Sequence, residues 1–170
     1  MNCNFNFPQL NQLIDKVFDS REKYYISELT NIQTQRNEIL KNDWCAPFQF
    51  LLDGVPNHGR RQVGIYMIYY VLDISSQIYY IGQGNIESRK NRHRLVFKNK
   101  GMPIVKMRDG KTTSSSDSVI GRKMYYHDSN PYNWFFSYMI CDKTWAKDIE
   151  RNLVEYYCPP GNDQKMRGVG

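Results

Sequence analysis

Glu150 is the charge in this 170-residue chain whose position most needs explaining. In the helical pattern that leads to Tyr157, the residues Trp145, Ala146, Ile149, Leu153, Val154, Tyr156 and Tyr157 form one broad apolar arc. Glu150 falls inside that arc, between Tyr157 and Val154, while Asp148, Arg151, Asn152 and Glu155 take the polar side. A carboxylate facing a core is costly unless a cation or hydrogen-bond donors meet it. Two readings are open: an edge residue paired with a nearby Lys or Arg, or a carboxylate held for a metal ion. Arg89 and His93 give a second hint, four apart and on one helical face with Ile86 and Phe97. They point a guanidinium and an imidazole toward the side where a sheet should pack. Alternatively this very basic helix (Arg89, Lys90, Arg92, His93, Arg94) is solvated or follows a nucleic-acid backbone.

Other elements must position these groups. Apolar residues at helical spacing predict helices over Gln9–Asp19 and from about Ser27 to Lys41, followed by a turn at Pro56–Gly59. Val63–Leu72 is β-branched and aromatic without clean alternation, as in a central strand covered on both faces. Asp73–Ser76 reads as a turn and Gln77–Ile81 as a second strand, so the two form an antiparallel hairpin. Gly82-Gln83-Gly84 ends it, and its spacing matches no nucleotide-binding motif. Asn85 caps a helix from Ile86 to about Lys98, with Glu87 in its first turn. A long polar connection, about Asn99–Ser116, carries Lys100, Lys106, Arg108 and Lys111. A short helix (Asp117–His127), a third strand (Asn133–Ile140) and a last helix capped by Thr144 and stopped by Pro159-Pro160 complete the pattern.

The fold class is therefore α/β of the α+β kind: a small three-stranded antiparallel sheet flanked by helices, with an N-terminal helical arm over residues 1–60. The main domain spans 61–170, with a basic insertion at about 99–116. The net charge of +6 fits a polyanion partner but is weak evidence alone. Cys3, Cys45, Cys141 and Cys158 form no close pair, and neither His58 nor His127 completes a zinc spacing. With no secretory signal and no apolar run near the ~20 residues of a membrane span, the expectation is a cytoplasmic protein with reduced thiols.

The hairpin carries Gly64-Ile65-Tyr66 on one strand and Tyr80-Ile81-Gly82 on the next. Arg89 and His93 follow on the next helix, Glu150 on a late helix, and Leu153-Val154-Glu155-Tyr156-Tyr157-Cys158-Pro159-Pro160-Gly161-Asn162 closes the series. This ordered set resembles the GIY-YIG nuclease superfamily from Gly64 to Asn162. The interval between the two tripeptides is longer than in the shortest members, and Arg89 follows Gly82 one residue sooner than in many.

The resemblance implies a magnesium-dependent endodeoxyribonuclease, with manganese as a substitute, and a catalytic set of Tyr66, Tyr80, Arg89, His93, Glu150 and Asn162. Glu150 would be the metal ligand, as magnesium often takes one carboxylate plus waters and phosphate. Arg89 would stabilise the phosphorane, its fork matching phosphate oxygens. Tyr66 would activate or orient the water, and Tyr80 would bond that water or the scissile phosphate. His93 would relay a proton or bind phosphate, and Asn162 would fix the site's geometry. Arg60, Arg61, Lys90, Arg92, Lys106, Arg108 and Lys111 are expected to contact DNA. Compact single-domain members resemble type II restriction endonucleases, so the expected partners are double-stranded DNA and a second copy of the chain in a homodimer. The expected source is prokaryotic or phage-encoded. A low-specificity phage or mobile-element nuclease and a non-cutting nucleic-acid-binding protein are the alternatives.

Overall fold

The β-branched run from Val63 folds as the inner strand β2 (Val63–Leu72), buried on both faces along most of its length. The computed structural model describes residues 44–50, 60–102, 106–108, 111–113 and 118–162. The helices expected over Gln9–Asp19 and Ser27–Lys41 and the turn at Pro56–Gly59 lie outside these residues. β2 pairs on one side with β3 (Ser75–Asn85) and on the other with β6 (Trp134–Ile140), and β6 in turn pairs with β1 (Phe48–Gln49). The sheet is thus four-stranded and antiparallel, in the order β1-β6-β2-β3. Three strands are expected from sequence. The fourth is a two-residue bridge, too short for any alternation to reveal, and it comes from the segment grouped with the N-terminal arm.

β3 outruns its expected length because Gly82 and Gly84 do not break it. They pair with Tyr66 and Gly64 and carry the ladder on to Asn85. A bulge at Tyr79 shifts the register, so that Ile68 faces Tyr80 while Tyr69 faces Ile78. Asn85 then caps α1 (Ile86–Lys98), its Oδ1 accepting the Ser88 N–H. The basic connection contains a small hairpin, β4 (Lys106–Arg108) and β5 (Lys111–Thr113). α2 (Val119–His127) is capped by Ser118, and a 3-10 turn at Pro131–Asn133 leads into β6. α3 (Lys143–Tyr157) is capped by Asp142, whose Oδ1 accepts the Thr144 N–H, so the expected cap residue Thr144 is the second residue of the helix.

The two faces of β2 serve two cores. Tyr66 and Ile68 pack with Ile86 of α1, Met124 of α2, Trp134 and Phe136. Ile65, Met67, Tyr69 and Val71 pack with Trp145, Ala146, Ile149 and Leu153 of α3. Each such large side chain contributes roughly 1.5–3 kcal/mol on burial. α1 and α2 therefore lie on one face and α3 on the other. Among the described residues, Cys45, Cys141 and Cys158 are free thiols, and no helix is long and apolar enough to cross a membrane.

Candidate active site

Period-two alternation puts Gly64, Tyr66 and, through the register, Gly82 and Gly84 on one face of the hairpin. Three of these four positions lack a side chain, so Tyr66 stands over a bare floor. A Cβ at Gly82 would sit 2.5 Å from Tyr66 Oη. A Cβ at Gly84, where φ is +130°, would sit 2.9 Å from Arg89 Nε. The glycines are spaces that the phenol and the guanidinium occupy. Phe136 stacks on the Tyr66 ring at 5.2 Å between centroids and holds it from the other strand.

α1 brings His93 to this floor. Tyr66 Oη and His93 Nε2 share a hydrogen bond of 3.1 Å. Tyr80, on the same face after the bulge, lies 6.0 Å from the Tyr66 ring and 6.1 Å from the His93 ring. His93 Nδ1 is bonded to Ser118 Oγ, and that oxygen also accepts the Gly121 N–H at 2.9 Å. Ser118 thus joins the cap of α2 to the site.

Burial dominates the electrostatics. It holds the Tyr66 phenol well above its ordinary pKa; Tyr80 adds to the rise and Arg89 opposes it. Burial, helped by Arg89 and Arg92, pushes the His93 imidazole down to about 3, so it is neutral at physiological pH. The Glu150 carboxyl is pushed up to about 7 by burial, against the pull of Arg89 and Lys147. Arg89 therefore acts on Tyr66, His93 and Glu150 together, although Glu150 comes from a helix on the opposite face of the sheet.

Asn162 sits at the open edge of β3. Its Oδ1 accepts the Ile81 N–H at 3.0 Å, and its Nδ2 donates to the Ile81 carbonyl at 2.8 Å. Gly161 N–H adds a bond to the Tyr79 carbonyl. The closing segment thus pairs with the edge strand at the residue between Tyr80 and Gly82, satisfying backbone groups that an edge leaves open.

The basic residues divide. Arg60 and Arg61 are exposed just before β2, at the end of the sheet where Gln62 accepts the Ile86 N–H. Arg92 is half-buried on α1. Arg108 and Lys111 oppose each other in the β4–β5 backbone register, and Lys106 opposes Thr113. Lys90 departs from expectation. From sequence it belongs with the DNA-facing cations, yet it is 1 % exposed, with Nζ 5.7 and 5.8 Å from the Phe48 and Phe50 ring centres. Those rings come from residues whose packing no local pattern reveals. Gly121 and Ser118 are further additions. A Cβ at Gly121 would meet the His93 carbonyl at 3.0 Å, so this glycine lets α2 approach α1 closely. A serine just before an apolar helix start is a cap signal, but nothing in the sequence ties it to His93.

Among the described residues, no three His, Cys, Asp or Glu side chains converge. Glu150 thus stands as a single carboxylate, enough for an ion that keeps most of its waters and shares a phosphate. A half-buried carboxyl whose charge the local cations do not fully offset fits such a ligand. Comparisons of the chain with protein-family models, curated proteins and solved structures give no match.

Proposed function

We propose that this protein is a metal-dependent endodeoxyribonuclease of the GIY-YIG type that hydrolyses phosphodiester bonds in duplex DNA. The observation that carries the reading is the Tyr66–His93 hydrogen bond on a glycine floor under the field of Arg89, with Glu150 coupled to that same guanidinium.

Arg89, half-buried over Gly84, offers its fork to the non-bridging oxygens of the scissile phosphate and to the charge that grows there in the transition state. Tyr66 holds the attacking water. Its raised pKa keeps it a neutral phenol in the free protein, so it becomes a base only when positive charge gathers around it. Once its phenol proton has passed to solvent, Tyr66 takes a proton from the attacking water as the water oxygen bonds to phosphorus. The bond from phosphorus to the 3′ oxygen breaks, and solvent protonates the departing oxygen. A magnesium ion held by Glu150, or manganese in its place, would supply positive charge for the ionisation of Tyr66 and for the leaving oxygen. Tyr80 is placed to bond the water or the phosphate, and Asn162 keeps Tyr80 and Gly82 in register.

Arg60, Arg61 and Arg92 supply phosphate contacts beside the site. The basic β4–β5 hairpin is extra material for base contacts, as a sequence-specific cutter requires. We read the protein as a type II restriction endonuclease, with two copies making a duplex break at a short palindrome. Plasmid incubated with the protein and magnesium, then with chelator, tests this. Discrete fragments that vanish with chelator are expected. A smear indicates a low-specificity phage or mobile-element cutter, and DNA that shifts but stays intact indicates a binding protein and removes the hydrolytic reading.

A further inference from the structure

We propose that Ser118 is a positioning residue: it donates its hydroxyl proton to His93 Nδ1 and fixes the Nε2–H tautomer, so that His93 donates to Tyr66 Oη. The bearing on catalysis rests on the hydrolytic reading above, whereas the hydrogen-bond direction stands on geometry alone.

Proton counting leads to it. Ser118 is 4 % exposed, and a buried hydroxyl that fails to donate loses a hydrogen bond it had in water. Its oxygen already accepts the Gly121 N–H. Among the described residues, His93 Nδ1 is the one acceptor facing its proton. Nδ1 of a neutral imidazole can accept only when the ring proton is on Nε2. Nε2 lies 3.1 Å from Tyr66 Oη and so becomes a donor to it. The chain runs in one direction, from Gly121 N–H through Ser118 O–H and His93 Nε2–H to Tyr66 Oη, and such chains polarise cooperatively. The positive end of α2, which Ser118 caps, favours a lone pair at Nδ1. The low imidazole pKa agrees, because a ring this reluctant to protonate cannot store the Tyr66 proton but can still donate to a phenolate.

His93 therefore acts as a fixed donor that stabilises ionised Tyr66, and its tautomer is set by a residue on another helix. Gly121 makes this possible, since its missing side chain lets the cap of α2 reach α1.

Imidazole nitrogen NMR on the full-length, histidine-labelled protein tests the proposal without DNA, with His93 assigned against the other two histidines by a His93→Gln control. In the wild type, His93 should show a protonated Nε2 and a pyridine-like Nδ1. Ser118→Ala should move both nitrogens toward values of mixed tautomers, and Ser118→Thr should restore them. In plasmid assays Ser118→Ala should cut roughly tenfold more slowly at unchanged DNA affinity. A protonated Nδ1 in the wild type, or the wild-type pattern persisting in Ser118→Ala, would overturn the assignment. If the wild type leaves plasmid intact, the hydrolytic reading fails while the NMR result still decides the role of Ser118.

Discussion

Glu150 and Lys90 are both charges set against apolar surface, and their surroundings treat them oppositely. Lys90 lies over two phenyl rings, where a cation gains from the ring quadrupole. Glu150 is pushed up to about 7, so its charge is tolerated only partly. A carboxyl raised in the folded state adds stability that is full below its ordinary pKa of 4.5 and is lost as the pH rises through about 7. Glu150→Gln should therefore melt like the wild type near about pH 4 and be more stable near about pH 8, by roughly 3 kcal/mol. Magnesium should narrow that gap by stabilising only the wild type. Thermal melts across pH, with and without magnesium, check both, and a gap independent of pH would show that the carboxyl is not desolvated. Glu150→Gln should also abolish cleavage. Lys90→Met should leave DNA affinity and its salt dependence unchanged, whereas Arg61→Ala should weaken binding and lower the salt slope by about one. Affinity titrations at several salt concentrations separate the two.

At the scale of elements, much of the scaffold is legible in the chain. β2 and α1 take their expected bounds because each signals itself locally: one by a β-branched run, the other by Asn85 and the apolar spacing behind it. What escapes is set by partners distant in sequence. β1 exists because Phe48 and Gln49 meet β6, and β3 continues through two glycines because Tyr66 and Arg89 fill their space. Among candidate site residues, Arg89 and His93 are readable from their shared face, while the Ser118 contact is tertiary and has no local sign. The Asn162 clamp makes the β3 edge testable. Asn162→Ala removes two hydrogen bonds to Ile81 and should cost roughly 1–3 kcal/mol. The Ile81 amide should exchange much faster, and cleavage should fall further than stability does. Gly82→Ala places a methyl where Tyr66 Oη lies, so it should suppress cleavage by displacing the phenol while circular dichroism still reports a folded chain.

Among the described residues, the four-stranded sheet lies between two helical layers, and each layer brings part of the candidate site. Tyr66, Tyr80 and His93 belong to the face covered by α1 and α2, and Glu150 belongs to the helix on the other face. For a restriction-type enzyme, the second copy supplies the second cut. Sedimentation with a duplex carrying the cognate site should show two protomers per DNA, and a strict monomer making only random nicks would exclude the palindrome reading. Glu150 and Asn162 are also late in the chain, beyond every strand of the sheet. A growing or half-docked chain can thus hold its tyrosines, histidine and arginine without the carboxylate or the edge clamp. On the proposed nuclease reading, such a molecule lacks the metal ligand and the clamp, so cleavage should require that α3 and the segment behind it are docked on the sheet.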